Sequence, residues 1–269
     1  MTREGQGRTA LVTGASAGIG KAFAERLAEL GYALVLTARR VDRLEAQATA
    51  LRSTHGVTVH VVPADLADPA APAALCAAIE ARGIVIDVLV NNAGYGVPGA
   101  YGRSQWQRHA DFIQVLVTAV AELTHRLLPG MIERRWGRVV NIASLAALVP
   151  AAPGHTLYAA SKAFLVKFSE ALAGEVRGRG VHVTASCPGF THSEFHDVTG
   201  TREQMQAMPR FMWLDARQVV RESYAAVMAG QALIVPGRVN RGVAFGAKHL
   251  PAAVARAAVA RQSRHYRKL

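Results

Sequence analysis

Hydrophobic residues along this chain fall into short, nearly continuous runs that alternate with longer segments of mixed apolar and polar residues. The short runs are rich in Val, Leu and Ile, as is typical of parallel strands buried on both faces. The longer segments have the length of helices, so the pattern predicts a parallel sheet covered by helices on both sides. The predicted strands are Thr9–Thr13, Ala33–Ala38, Val57–Pro63, Val88–Asn91, Arg138–Ala143, Val181–Ser186 and Leu233–Val235. The predicted helices are about Gly18–Leu30, Val41–Thr54, Pro69–Ala81, Trp106–Arg134, Thr156–Arg179, Ala216–Ala229 and Ala252–Arg264.

The segment from Phe190 to Asp215 has neither pattern and is long for a connection inside a compact domain. It carries five large apolar side chains among polar ones. Either they pin the loop to the core, or they form an apolar wall over a substrate site. These five residues are Phe190, Phe195, Phe211, Met212 and Trp213.

The chain has 269 residues, of which 51% are hydrophobic and 19% charged, which suffices for one large core. The pattern shows no repeat, low-complexity block or linker, so we expect a single domain. Cys76 and Cys187 lie far apart and outside any Cys-x-x-Cys motif, which favours a reduced, cytoplasmic protein with inert thiols. The polar amino terminus contains no signal region, and charges or prolines interrupt the apolar stretches before bilayer length, so no membrane span is expected.

The net charge of +12 is concentrated near the carboxyl terminus. Residues 238–269 contain eight Lys or Arg and no Asp or Glu. This basic segment could be a solvated helix near the substrate loop, a peripheral contact with an anionic membrane, or a site for an acidic substrate portion such as a coenzyme A phosphate. Nucleic-acid binding is disfavoured because few aromatic residues accompany the charges.

A glycine-rich turn follows the first predicted strand and opens a helix. Glycines there permit a tight turn and close backbone approach, while the helix amino terminus offers free N–H groups to a pyrophosphate. The position of the turn at the first strand–helix junction makes it a strong sign of dinucleotide binding. The candidate contacts are Gly14, Ser16, Gly18, Ile19 and Gly20.

The end of the second strand bears on the choice of cofactor. Folds that prefer NAD usually place an acidic residue there for the ribose 2′-hydroxyl. This chain reads Leu36-Thr-Ala-Arg39-Arg40 and has no carboxylate. An arginine can grip a 2′-phosphate through charge-assisted bonds, so we expect NADP(H), with Arg39 as the contact. The alternative is that both arginines are solvated.

Ser144, Tyr158 and Lys162 form the candidate catalytic group. Residues four apart share one face of a helix, so the Tyr158 phenol and the Lys162 ammonium point into the same space. A nearby cation favours the phenolate and lowers the pKa of tyrosine from its usual value of about 10. With Ser144 supplied by the preceding strand, the group is an acid–base site for a carbonyl or alcohol oxygen.

These pieces together resemble the short-chain dehydrogenase/reductase family, in its NADP-preferring type, from about Arg8 to Gly237. The resemblance implies a Rossmann-like, doubly wound sheet of seven parallel strands in the order 3-2-1-4-5-6-7. It divides the chain into a domain at residues 1–237, with a substrate loop at about 190–215, and a basic extension at 238–269. The matching motifs are Thr13-Gly-Ala-Ser-Ala-Gly-Ile-Gly20, Asp65-Leu66, Asn91-Asn-Ala-Gly94, Asn141-Ile-Ala-Ser144, Tyr158-Ala-Ala-Ser-Lys162 and Pro188-Gly-Phe-Thr191.

The resemblance also implies roles for these residues. Tyr158 would be the general acid in ketone reduction and the base in the reverse reaction. Ser144 would orient the substrate carbonyl, and Lys162 would bond the nicotinamide ribose and lower the tyrosine pKa. Asp65 would touch the adenine, and Asn91 would sit beside the cofactor and brace the glycine turn. The remaining cofactor contacts would be Ala93, Gly94, Pro188, Gly189 and Thr191, with Thr191 at the carboxamide.

One position departs from the family pattern. The family usually has an asparagine thirteen residues before the proline that stands here as Pro129, and this chain has Leu116 there. That asparagine supports a helix kink whose backbone carbonyl holds a water of the proton relay. Leucine cannot make the side-chain bonds, so we expect slower proton exchange. Neighbouring Gln114 should point away on an ideal helix.

Two functions remain open from the sequence. The first is an NADP(H)-dependent reductase or dehydrogenase for an apolar carbonyl/alcohol pair, such as an acyl chain or a steroid. The second is an NADP(H)-binding sensor or scaffold with little catalysis because of Leu116. The resemblance implies a homodimer or homotetramer. No metal is expected, since His192 and His196 have no third ligand fixed by spacing.

Overall fold

The structure is a computed structural model that describes residues 3–97, 99–151, 153–154, 156–192 and 209–263. Its strands form one parallel sheet in the order β3-β2-β1-β4-β5-β6-β7. This confirms the predicted fold class and strand order. The strands are β1 (Thr9–Thr13), β2 (Ala33–Thr37), β3 (Val59–Val61), β4 (Val88–Asn91), β5 (Gly137–Ile142), β6 (Val181–Ser186) and β7 (Leu233–Ile234).

Helices connect the strands, and most of them begin and end within a few residues of the predicted positions. They are α1 (Gly18–Glu29), α2 (Val41–His55), α3 (Ala71–Glu80), α4 (Trp106–Ile113), α5 (Ala119–Glu133), α6 (Thr156–Glu175), α7 (Ala216–Met228), α8 (Arg238–His249) and α9 (Ala252–Ser263). The sequence pattern missed α8. Its interior contains Gly242 and Gly246, and glycine is a poor helix former.

The sheet is buried on both faces, as its apolar runs predicted. Along β1, Ala10 and Val12 pack into one core while Leu11 packs into the other, because successive side chains point to opposite faces. The first core includes side chains from α1, α2 and α7. The second includes side chains from α3, α4, α5 and α6.

The long helical stretch Trp106–Glu133 forms part of the second core. By length and composition alone this stretch of 28 residues could cross a membrane, although the sequence pattern had predicted no span. Its apolar side chains Phe112, Leu116, Leu123 and Met131 are buried against the sheet. Core packing therefore accounts for its composition. A π-helical turn, Gln114–Thr118, separates α4 from α5 within it.

A buried polar cluster lies at the amino end of the sheet. The hydroxyls of Tyr32 and Tyr224 are 2.9 Å apart. The guanidiniums of Arg8 and Arg138 lie over the Trp136 ring, at 4.1 and 4.4 Å from its centroid. Arg138 also donates to the carbonyls of residues 137 and 180 at 2.7 and 3.0 Å. These bonds place a tyrosine pair and a buried cation far along the strands from the predicted site.

Candidate active site

The glycine-rich turn is held rigidly at the carboxyl end of β1. The Thr13 hydroxyl accepts hydrogen bonds from the N–H groups of Asn92 and Ala93, at 2.9 and 3.0 Å, and donates to the Val90 carbonyl at 3.2 Å. A Cβ added at Gly20 would lie 2.4 Å from the Gly14 carbonyl oxygen. Side chains are therefore excluded at Gly20, and the backbone packs closely through the turn.

The turn fits the pyrophosphate predicted for it. Gly14 and Gly18 have φ angles of +63° and +54°, a conformation that favours glycine. No side chain caps the amino terminus of α1 at Ala17, and its first turn contains no acidic residue. Backbone N–H groups at such a helix end favour an anion. Gly14, Ser16, Gly18, Ile19 and Gly20 all lie in this turn or in the first turn of α1.

The asparagine that braces the glycine turn is Asn92 rather than Asn91. The Asn92 side-chain amide donates to the carbonyls of Thr13 and Gly14 at 2.9 and 3.2 Å. The amide of Asn91 instead donates to Asn141 and Thr124 at 2.8 and 3.2 Å. Asn91 ends β4, so its side chain points to the other side of the strand from that of Asn92. The predicted bracing role of Asn91 was therefore wrong.

The two arginines after β2 occupy different positions. Arg40 donates to the Ser16 hydroxyl from Nη2 at 3.1 Å and from Nε at 3.4 Å, which places its charge against the glycine-rich turn. Arg39 is exposed. Asp65 is exposed beyond the end of β3 and accepts a bond from the Ala67 N–H at 3.1 Å. The contact of Arg39 with a phosphate stays a prediction, and Arg40 joins it as a second candidate.

The fold brings Ser144, Tyr158 and Lys162 together. Ser144 follows β5 and caps a short 3-10 helix, with its hydroxyl accepting from the Ala146 N–H at 3.2 Å. Tyr158 lies in the first turn of α6, with its hydroxyl near that of Ser144. Lys162 lies one turn later, with its ammonium 5.7 Å from the centre of the Tyr158 ring. The geometry is that of the predicted group.

Burial controls the proton affinities of this group. Burial raises the pKa of Tyr158, and the hydrogen bond with Ser144 opposes that rise. Burial also lowers the pKa of Lys162 to about 8. The Lys162 ammonium donates to the Ile142 carbonyl at 2.7 Å. In this structure, the lowering of the tyrosine pKa that was expected from Lys162 does not prevail over burial.

Cys187 is a neighbour of the group that sequence reasoning did not place there. Its thiol is fully buried and lies near the Ser144 backbone N–H. Burial raises the pKa of the thiol to about 12, so it stays protonated at neutral pH. This agrees with the expected inert thiol. Cys187 directly precedes the Pro188-Gly189 turn, and this adjacency was the local sequence signal that could have placed it near the site.

A chain of buried, hydrogen-bonded polar side chains connects the sheet to the helix that carries Tyr158 and Lys162. Asn91 donates to Asn141 at 2.8 Å, and Asn141 donates to the Ser169 hydroxyl at 2.9 Å. Ser169 donates in turn to a backbone carbonyl of its own helix at 2.7 Å. The chain joins β4 and β5 to α6, the helix that carries Tyr158 and Lys162. It therefore fixes the position of α6 against the sheet.

The π-helical turn lies where the family has its kink. Leu116 is buried in this turn. Its side-chain atoms would be the nearest neighbours of a Cβ added at Gly94, with the closest at 3.6 Å. The Gln114 carbonyl accepts from the Ala119 N–H, which is the i to i+5 bond of a π-helix. The Gln114 amide nitrogen is buried and has no hydrogen-bond partner within the described chain. The backbone irregularity is thus present although leucine replaces asparagine.

The Pro188-Gly189 turn and Thr191 form the base of the predicted substrate loop. The Pro188 carbonyl accepts from the Leu145 N–H at 2.9 Å, and the Thr191 hydroxyl donates to the Gly189 carbonyl at 3.1 Å. Thr191 also forms a β-bridge with Leu214. These bonds place the start and the end of the loop beside Ser144.

Aromatic residues cluster at this base. The Trp213 ring lies 5.8 Å from that of Phe190 and 4.7 Å from that of His192, measured between centroids. Phe195 and His196 lie outside the described residues, as do residues 193–208 as a whole. Within the described residues, no cluster of three His, Cys, Asp or Glu side chains could hold a metal.

Comparison with known proteins is consistent with this geometry. The family model for short chain dehydrogenase matches residues 8–204. The chain is 38% identical to serine 3-dehydrogenase of Rhizobium radiobacter over 70% of its length and 73% of that protein. It is also 38% identical to sulfoacetaldehyde reductase of Chromohalobacter salexigens, over 68% of its length and 72% of that protein.

Solved structures with the same fold include members bound to each dinucleotide. A short-chain dehydrogenase from Sphingobium yanoikuyae in complex with NADPH superposes with a TM-score of 0.80, at 31% identity, over 88% of this chain and 91% of that one. A member from Burkholderia phymatum in complex with NAD gives 0.79 at 29% identity, over 90% and 93%. A 7beta-hydroxysteroid dehydrogenase gives 0.83 at 28% identity, over 93% and 95%.

The matched region spans well over half of the chain and contains the glycine-rich turn together with Ser144, Tyr158 and Lys162. The chain therefore belongs to the short-chain dehydrogenase family of oxidoreductases.

Proposed function

We propose that this protein is an NADP(H)-dependent oxidoreductase that interconverts a carbonyl and an alcohol on a small or medium hydrophobic substrate. The observation that carries the proposal is the meeting of the Ser144 and Tyr158 hydroxyls beside the buried Lys162 ammonium. A bound nicotinamide would supply or accept the hydride, and the protein supplies position and proton.

Tyr158 and Ser144 act on the substrate oxygen. In reduction, the Tyr158 hydroxyl donates its proton to the carbonyl oxygen as the alcohol forms, and in oxidation the phenolate removes that proton. The Ser144 hydroxyl donates a hydrogen bond to the same oxygen and so fixes its distance from the phenol. Burial holds the tyrosine protonated in the resting chain, which suits the general acid of a reduction.

Lys162 supports the proton transfer from behind the phenol. Its ammonium stabilises negative charge on Tyr158 as the proton leaves, and a bond to the cofactor ribose would complete its donors. Because burial lowers its pKa to about 8, the ammonium loses its proton as the pH rises through that value. We therefore expect this electrostatic support to weaken above pH 8.

The preference for NADP(H) is supported by the two arginines after β2 and by the absence of a carboxylate between Leu36 and Arg40. Arg40 supplies a cation beside Ser16, and Arg39 supplies a second, exposed cation directly after β2, where a 2′-phosphate is expected. Structural relatives contain either NADPH or NAD, so the preference has to be tested on this chain. Ser16, Asp65, Ala93, Gly94 and Thr191 are proposed as further cofactor contacts.

Substitution of each arginine in turn tests the preference for NADPH over NADH. We expect Arg39→Gln and Arg40→Gln each to raise the Kd of NADPH by about tenfold to a hundredfold, the range for a lost charged hydrogen bond. The Kd of NADH should stay within about twofold. Fluorescence titration of both dinucleotides measures this, with Arg43→Gln as a matched control on α2. An equal loss for NADPH and NADH would rule out a phosphate contact.

The proposed substrate is apolar. An apolar substrate is supported by the aromatic residues Phe190 and Trp213 beside the site and by the relative that acts on hydroxysteroids. Serine 3-dehydrogenase and sulfoacetaldehyde reductase show that relatives also include enzymes named for polar substrates. A panel of apolar and polar ketones and aldehydes, followed by NADPH absorbance, distinguishes these classes.

The alternative of a sensor or scaffold rests on Leu116. The same panel decides between the two functions: tight NADPH binding without turnover of any carbonyl, and without oxidation of any alcohol by NADP+, would overturn the enzymatic proposal. The retained π-helical turn favours catalysis, because it keeps the backbone irregular at the relay position. A cytoplasmic location and a homodimer or homotetramer remain predictions.

A further inference from the structure

The surface of α8 and the start of α9 is unusually apolar. Ten large hydrophobic side chains are exposed within the described chain, and five of them lie between residues 239 and 254. Phe245 is 66% exposed, and Leu250 and Val254 are 49% and 51% exposed. The two others are Val239 and Val243, which share a face of α8 because they are four residues apart. Phe245 lies about 200° around α8 from Val243, so it faces away from the two valines and toward the side that carries Arg238 and Lys248. An exposed aromatic ring with exposed Leu250 and Val254 shortly after it in the chain marks a candidate interaction site.

The same surface is basic. Arg238 and Lys248 are exposed on the same side of α8 as Phe245, Arg256 is exposed on α9, and the sequence contains no Asp or Glu from residue 238 onward. Arg241 is already committed to an ion pair with Glu222 at 3.0 Å. The Phe245 ring contacts that of His249 at a tilt, with ring centroids 4.3 Å apart. Exposed apolar side chains flanked by cations, without acids, match the interface of an anionic lipid bilayer.

A second copy of the chain is a poorer match for this surface. A two-fold interface brings the same patch of both subunits together. Cations such as Arg238 and Lys248 would then face their own copies, with no acidic residue of the patch to neutralise them. Charge complementarity therefore favours anionic lipid over self-association.

The basic apolar surface lies close to the base of the substrate loop. The Asn240 side chain fills the space beside Gly189, where an added Cβ would lie 2.4 Å from its Oδ1. Asn240 is buried and donates to the Pro236 carbonyl at 2.9 Å. Helix α8 also packs against the short 3-10 helix Arg210–Met212, whose Phe211 is 68% exposed. A bilayer bound by α8 would thus lie next to the base of the substrate loop.

We propose that α8 and the first turn of α9 form a docking surface for anionic phospholipid bilayers. Phe245, Leu250 and Val254 enter the interface between headgroups and acyl chains, and Arg238, Lys248 and Arg256 neutralise lipid phosphates. The proposal concerns binding alone, so its outcome is independent of whether the protein turns over a carbonyl.

Cosedimentation with vesicles tests the docking surface. The full chain should bind vesicles of phosphatidylglycerol and not those of phosphatidylcholine, and binding should fall as salt is raised. Lys248→Glu should weaken binding at least about fivefold, the effect of one cation near such a surface. Phe245→Ser should weaken it by about tenfold. Matched controls on the opposite end of the sheet are Arg177→Glu and Val85→Ser, which should bind as the unchanged chain does.

Two results would overturn the proposal. One is the absence of binding to phosphatidylglycerol vesicles at low salt, or binding that Phe245→Ser and Lys248→Glu leave unchanged. The other is conversion of an oligomer to monomers by Phe245→Ser, measured by light scattering without lipid, which would assign the surface to contact between copies. Circular dichroism and NADPH binding confirm that each variant is folded.

Discussion

Each end of the sheet holds a tyrosine beside a buried cation, and only one of these pairs is suited to chemistry. At the amino end, Tyr32 and Tyr224 bond each other, and Arg138 lies over Trp136. At the carboxyl end, the Tyr158 hydroxyl lies near that of Ser144, and the Lys162 ammonium lies 5.7 Å from the centre of the Tyr158 ring. Burial raises the tyrosine pKa in both places. A buried tyrosine with a raised pKa is therefore no sign of catalysis by itself.

The partners distinguish the two ends. The tyrosine hydroxyls at the amino end are occupied by each other, and arginine keeps its proton at any ordinary pH. At the carboxyl end the partner of Tyr158 is a small hydroxyl on a strand end, and the cation is a lysine whose pKa is about 8. A lysine can change its charge near neutral pH, and an arginine cannot. Partners that can gain or lose a proton, rather than burial, mark the reactive end.

The sharpest test removes one hydroxyl from each end. We expect Tyr158→Phe to lower turnover by roughly a hundredfold to ten-thousandfold, the usual contribution of a positioned acid–base group. Tyr224→Phe should leave turnover within about twofold. NADPH consumption measures both, and NADPH binding by each variant serves as the control. Equal activity of Tyr158→Phe and the unchanged chain would remove Tyr158 from the reaction.

The two cations should differ in how stability depends on pH. Lys162 has a pKa of about 8 when folded and 10.5 when exposed, so between these values the unfolded chain binds the extra proton. The free energy of unfolding should therefore rise across this window, by about 3 kcal/mol from this group. Urea unfolding from pH 8 to 10.5 should show that rise in the free energy of unfolding. In Lys162→Met the rise should be smaller by the contribution of the lysine. Arg138→Met should shift stability equally at every pH, and a similar slope change in both variants would contradict the assignment.

A smaller loss of stability is expected at the amino end. Tyr224→Phe leaves the Tyr32 hydroxyl buried without its partner at 2.9 Å. An unpaired buried hydroxyl costs about 1 to 3 kcal/mol. Thermal or urea unfolding measures this loss, and Tyr101→Phe, at an exposed position, is the matched control. No loss would mean that water replaces the missing bond.

The smallest effect is expected at the π-helical turn. If Leu116 slows proton exchange, Leu116→Asn should raise turnover a few-fold, by about 1 kcal/mol or less of barrier, and change its pH profile. Leu116→Met, which keeps an apolar side chain, should do neither. Unchanged turnover and pH dependence in Leu116→Asn would dismiss the relay hypothesis for this chain.

The sequence predicted most of what depends on local patterns. Strand order, the glycine-rich turn and the meeting of Ser144, Tyr158 and Lys162 followed from motifs, and the structure shows each of them. It misassigned the bracing asparagine, since neighbouring Asn91 and Asn92 differ only in which face of the strand they occupy. It also missed α8, because Gly242 and Gly246 hide a helix that tertiary packing of Asn240 stabilises.

Other features of the site depend on contacts that no local pattern encodes. The bond from Arg40 to Ser16 joins residues 24 positions apart. The approach of Cys187 to Ser144 depends on the pairing of β5 with β6. The net rise in the pKa of Tyr158 reflects burial by several elements at once, which spacing along one helix cannot show.

Thr13 limits which sequences can build this nucleotide turn. Its single hydroxyl accepts from the N–H groups of Asn92 and Ala93 and donates to the Val90 carbonyl, so it links the ends of β1 and β4. Valine has the same shape but would leave both N–H groups without that acceptor, while serine would keep the bonds and lose one methyl group. Among the amino acids, only serine could therefore replace threonine here at small cost. The mutational tolerance of the turn is thus set by a residue outside its glycines.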